Sequence, residues 1–214
     1  MGLALLLGVL GCARIYHPIS LAQAPAPTRT AHLAGSLVPQ AWGDHSRYQA
    51  RAQRAHLQLA VLTLENPSSV DTEILRLEVA EGTTLLDPEE ALGLVRQHPL
   101  LYALYPLIPG LAALVSSGQG YPLSDRAAFT VWAGVGVCLG LPNAIVAARS
   151  NHRLGDFLRS RAWPSAPLRP GAVQRGLVFL RQPGPAVPLR LEVVYRQGAA
   201  EGRLALACAA LPAP

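Results

Sequence analysis

Two separated blocks of alternating apolar residues, 57–80 and 173–208, constrain this chain of 214 residues more than any other feature. In the first, Leu57, Leu59, Val61 and Thr63 share a face, and the run stops at the turn signal Glu65-Asn66-Pro67-Ser68-Ser69. Leu75, Leu77 and Val79 then oppose Arg76, Glu78 and Ala80, and the two runs read as an antiparallel pair. In the second block Leu177 and Phe179 share a side. Leu189, Leu191, Val193 and Tyr195 oppose Arg190, Glu192 and Arg196, and Leu204, Leu206 and Cys208 form a third apolar row. Strands with one wet and one dry face need a second sheet over the dry side.

The residues between the blocks carry no strand pattern. Asp87 as N-cap, Pro88 at the first helical position and Glu89 and Glu90 in the first turn mark a helix start. Two long apolar arms follow, 100–115 and 127–148, joined by "SSGQGYPLSDR", and read as a helical hairpin. At 1.5 Å per residue the first arm reaches roughly 24 Å, short of a hydrocarbon core of about 30 Å, and Pro106, Pro109 and Gly110 interrupt it. The second is long enough to span, with Gly136 and Gly140 in a G-x-x-x-G. Its Arg-rich flank opposes the positive-inside preference if the β domain is periplasmic. Packing against protein and immersion in lipid both stay open. "NHRLGDFLRSRAWP" reads as a short basic amphipathic helix that covers a sheet edge or lies on headgroups. Trp132, Gly136, Gly140, Arg149, Arg153, Arg159 and Arg161 are the candidate membrane or partner contacts. The expected fold class is mainly β with an α insertion: an antiparallel immunoglobulin-like β-sandwich plus a helical hairpin.

The N-terminus points to a location. Leu3 to Leu10 form an apolar run too short to span a bilayer, as in a signal peptide. It leads into Val9-Leu10-Gly11-Cys12, which resembles the lipobox of bacterial lipoproteins. The resemblance implies cleavage before Cys12 and acylation of its thiol; Leu10 is bulkier than the pattern, and no Lys or Arg precedes the run. Ala13 after the Cys is similar to the outer-membrane sorting pattern, facing the periplasm. Pro18, Pro25 and Pro27 among small residues suggest a semi-extended tether. Only 14% of residues are charged while 50% are hydrophobic, which suits the envelope. The formal charge of +5 comes entirely from Arg, a coding bias, so no nucleic-acid partner is expected. The expected organisation is a signal peptide (1–11), lipidated Cys and tether (12–53), first sandwich part (54–86), helical insertion (87–162) and second sandwich part (163–214).

"ENPSS", "DPEEALGLV", the apolar hairpin, "NHRLGDFLRSRAW" and Pro170-Gly171 before Gly176-Leu177-Val178-Phe179 together resemble uncharacterised bacterial envelope lipoproteins. The resemblance covers residues 54–209 and implies a sandwich with a helical insertion and no catalytic residues. No G-x-S-x-G, H-E-x-x-H, P-loop or C-x-x-C motif occurs. The six His are dispersed, so neither metal nor cofactor is expected. "GDHSRY" (43–48) reads as a polar turn rather than a triad, and Cys138 and Cys208 as small core residues. The expectation is a non-enzymatic, membrane-anchored structural or protein-interaction module, held by its N-terminal lipid and docking on another envelope protein. The alternative is a lipid-binding or membrane-inserting protein acting through the hairpin; a hydrolase with a site built from scattered His and Ser ranks behind both.

Overall fold

The computed structural model describes residues 13, 15–23, 27–42, 46–103, 124–182 and 188–208, with the side chains of 46–47, 103, 124–139 and 208 excepted. The chain divides into two compact units, one of Met1–Tyr16 with Arg96–Leu154 and one of His17–Val95 with Gly155–Pro214.

The second unit is mainly antiparallel β. Strands β1 (Thr28–Arg29), β2 (Ala34–Gln40), β3 (Leu57–Glu65), β5 (Thr84–Leu86) and β6 (Val173–Arg181) form one sheet in the order β1-β2-β3-β6-β5. Strands β4 (Thr72–Val79), β7 (Leu189–Gln197) and β8 (Ala200–Cys208) form the other, in the order β4-β7-β8. Leu37, Ala60, Leu62, Leu64, Val178 and Leu180 of the first sheet share one core with Leu189, Leu191, Val193, Tyr195, Leu204 and Leu206 of the second. The result is a β-sandwich-like body.

Two expectations change here. The runs 57–65 and 72–79 do not pair: β3 lies between β2 and β6, while β4 pairs with β7 in the other sheet. The Asn66 turn therefore carries the chain from one sheet to the other. The core face of β3 and β6 is also the one opposite to the expected face. Leu59, Val61, Leu177 and Phe179 point away from the sandwich core yet are buried too, as helix α1 (Ser46–Arg54) packs on β3 and on α2 (Pro88–Val95). A strand buried on both sides has no wet face to reveal its orientation.

Within the stretch 12–53, expected as lipidated Cys and tether, described residues fold into regular elements. The stretch supplies β1, β2 and α1, and buries Tyr16, Leu33, Leu37, Trp42, Tyr48 and Ala52. β2 tolerates Pro39 because β1 pairs only with Ala34 and Gly35, so the Pro39 edge meets no neighbouring strand. Helix α2 starts as expected: Glu90 N donates to Asp87 Oδ1 (2.7 Å) and Asp87 N to Glu90 Oε2 (3.2 Å).

Asn66 organises the crossing. Its Nδ2 donates to Val70 O (2.8 Å) and Leu168 O (2.9 Å), and its Oδ1 accepts from Ser68 N (3.0 Å) and Ser68 Oγ (2.6 Å). Its own backbone bonds Ala172 O and Gly171 N. The latter belongs to a turn in which Pro170 precedes Gly171 at φ 68° and Ala172 N returns to Arg169 O, as a type II turn requires.

The other unit is helical where described. It holds α3 (Pro99–Ala103) and residues Ser124–Leu154 of the long helix α4 (Ser124–Arg161). The expected second arm, 127–148, is helical within α4, and the short basic helix expected after it is the same helix continuing. No Gly or Pro stands between Pro142 and Leu154 to end it, and Pro142 itself costs only the bond to the Cys138 carbonyl. Residues 104–123, which hold most of the first arm and the connection, lie outside the described residues.

Candidate functional site

Within the helical unit, polar side chains bind the start of the described chain to α4. Asn143 and Ser150, seven residues apart, share one side of α4. Asn143 Oδ1 accepts from Ala13 N (3.0 Å), and Ser150 Oγ accepts from Tyr16 N (2.8 Å). Gln97 closes the arrangement: its N donates to Asn151 Oδ1 (2.8 Å), and its O accepts from Asn151 Nδ2 (2.7 Å). Its Nε2 reaches Ser150 Oγ (3.4 Å), and its Oε1 accepts from Tyr102 OH (3.1 Å). Gln97, Ser150 and Tyr16 are each 1% exposed or less, so water cannot replace these partners.

The opposite side of α4 is exposed. Leu141 and Ile145 (each 53% exposed) and Arg149 recur every four residues, and α3 exposes Leu100 (78%) and Leu101 (60%). Ile15, between the two clamped amides, is exposed as well. Segments 96–103 and 140–154 carry Arg96, Arg149 and Arg153 and no carboxylate.

The candidate residues separate on this framework. Cys12 lies outside the described residues. Trp132 and Gly136 belong to α4, but their side-chain positions are also outside them. Gly140 is buried in the helical unit, whereas Arg149 and Arg153 are exposed and meet no carboxylate among the described residues. Arg159 and Arg161 fall in the β unit. Arg159 pairs with Glu89 (2.7 Å) and Asp156 (2.8 Å), which raise its pKa, the Asp156 hydrogen bond most. Its charge is already answered within the protein. "GDHSRY" leads into α1, which begins at Ser46. The side chains of Cys138 and Cys208 are outside the described set.

Sequence reading missed the polar clamp. The one signal was a pair of polar residues at helical spacing, Asn143 inside the apolar run and Ser150 just past its end. Outside this unit, the outer face of β4, β7 and β8 carries exposed ion pairs, Arg76–Glu78, Arg203–Glu78 and Arg203–Glu192, beside a shallow depression lined by Ala80, Arg190, Ala205 and Ala207. These pairs are solvated and mutually satisfied. Among the described residues no three His, Cys, Asp or Glu side chains gather as a metal site, and no helix is long and apolar enough to cross a membrane. Comparison with protein-family models, curated proteins and solved structures finds no match.

Proposed function

We propose that the protein is a non-enzymatic lipoprotein of the bacterial envelope, acylated at Cys12, whose immunoglobulin-like sandwich is a structural or protein-interaction module. The observation that carries this reading is the clamp on Ala13 and Tyr16. Cys12 is the covalent neighbour of Ala13, so an acyl anchor there joins a fixed point of the helical unit rather than a loose leash. The exposed Leu100, Leu101, Leu141 and Ile145 on the same unit support the placement. Ala13 after the Cys, similar to the outer-membrane sorting pattern, supports the periplasmic face of the outer membrane.

The test is the mass of the N-terminal peptide from the native protein. A mature chain beginning at acylated Cys12, and loss of membrane attachment on Cys12→Ser, support the reading. A mature chain that starts elsewhere or carries an unmodified thiol overturns it. The second reading, a lipid-binding or membrane-inserting protein, is favoured by the exposed apolar residues of α3 and α4. It differs in its outcome: membrane association would survive Cys12→Ser.

A further inference from the structure

We infer that the described face of the helical unit is a lipid contact in its own right, seated in the interface of an anionic leaflet with Arg149 and Arg153 at the headgroup phosphates. The inference deepens the membrane reading above and rests on it for location only. Three observations converge. First, exposed Leu141 and Ile145 give way along the same side of α4 to exposed Arg149, with Arg153 a turn further on. An apolar stretch that changes to Arg along one helix matches the step from acyl chains to headgroups.

Second, the charge is one-signed. Segment 140–154 carries Arg149 and Arg153, both exposed, and no carboxylate. A protein partner with complementary acids would also suit the cations, but not the adjoining exposed Leu and Ile as well as a bilayer does. Third, the clamp sets a depth. Ala13 is bonded at the level of Asn143, and six residues of helix put Arg149 about 9 Å further along the axis. A chain entering at that level therefore meets the apolar end of α4, with the cations roughly a headgroup layer above.

The experiment uses the full chain carrying Cys12→Ser, so that no acyl group contributes. Its partition is measured into vesicles of phosphatidylcholine alone and of phosphatidylcholine with phosphatidylglycerol. The expected result is stronger binding to the anionic vesicles, weakened by salt. Replacing Arg149→Gln with Arg153→Gln should lower that preference roughly 30-fold, at about a factor of five per cation. Removing two charges from the β unit, Arg190→Gln with Arg203→Gln, should leave it within about two-fold. Ile145→Glu should weaken binding to both vesicle types. All five positions are exposed, so folding should persist, and circular dichroism checks it. No preference for anionic vesicles, or an equal loss from both Arg pairs, overturns the inference; so does unchanged binding by Ile145→Glu, which would leave the apolar face to a protein. An unmodified Cys12 in the native chain would refute the lipoprotein reading without touching these partition ratios.

Discussion

Replacing Ser150 with Ala should loosen the start of the chain while leaving the rest of the helical unit in place. Ser150 is fully buried, and its Oγ takes the Tyr16 amide at 2.8 Å in a site where Tyr16 is 1% exposed. The alanine cannot accept, and no water reaches the amide. A buried donor left unpaired costs about 1–3 kcal/mol. Gln97 loses one long bond of 3.4 Å but keeps Tyr102 and its reciprocal pair with Asn151, so the cost falls on residues 13–16. If the clamped segment opens locally, its opening equilibrium rises roughly 5- to 150-fold for that energy. Hydrogen exchange read by mass spectrometry on a peptide covering Tyr16 measures it directly. Ser160→Ala, which removes only a bond to the Phe157 carbonyl, is the control and should leave that peptide unchanged. Wild-type exchange at Tyr16 in Ser150→Ala would refute the clamp.

Asn66→Ala leaves the Ser68 amide without its acceptor and takes one donor from Val70 O and Leu168 O, which keep Ser68 Oγ and Thr72 N, and should cost about 1–3 kcal/mol in denaturant unfolding; a loss below about 0.5 kcal/mol would contradict the hub. Asn66→Asp turns a carboxylate toward the Val70 and Leu168 carbonyls, which raises its folded pKa above the unfolded value near 3.9. The variant should therefore be closest to wild type below about pH 4 and lose stability as pH rises, and a flat profile would exclude this geometry. Gly176→Ala places a Cβ 2.6 Å from Trp163 Cα and 2.9 Å from its N, both backbone atoms, so a loss of about 1–3 kcal/mol or more is expected in thermal melts. At Glu78 the Arg76 hydrogen bond, aided by the charges of Arg76 and Arg203, outweighs desolvation and holds the carboxyl below its usual pKa. Its small stabilisation is present above the ordinary glutamate range and fades as pH falls through the folded value. An NMR titration should show the midpoint rising in Arg76→Gln.

Legibility in the sequence followed exposure. β4, β7 and β8 show their faces because Arg and Glu alternate with Leu and Val there, and β7 packs as its pattern says. β3 and β6 are visible as strands, but burial on both sides hides which face meets the other sheet and which strand is the partner. β2 reads AGSLVPQ, whose Gly, Ser and Pro mask a strand that register with β3 enforces. α1 is polar enough to pass for linker, although Tyr48 and Ala52, one turn apart, are buried. The basic residues after the second apolar arm looked equivalent. Pairing separates them: Arg159 meets acids from α2 and its own helix, an encounter no local spacing announces.

The contact of α2 with the far end of α4 has a consequence for engineering. A Cβ on Gly155 would come within 3.0 Å of Leu92 Cδ2, so the β unit resumes close to where it broke off after Val95. Excising 96–154 and bridging the gap with a few flexible residues should leave both sheets intact. The sandwich is thus separable from the inserted helical segment, which could be exchanged for another without redesigning either sheet.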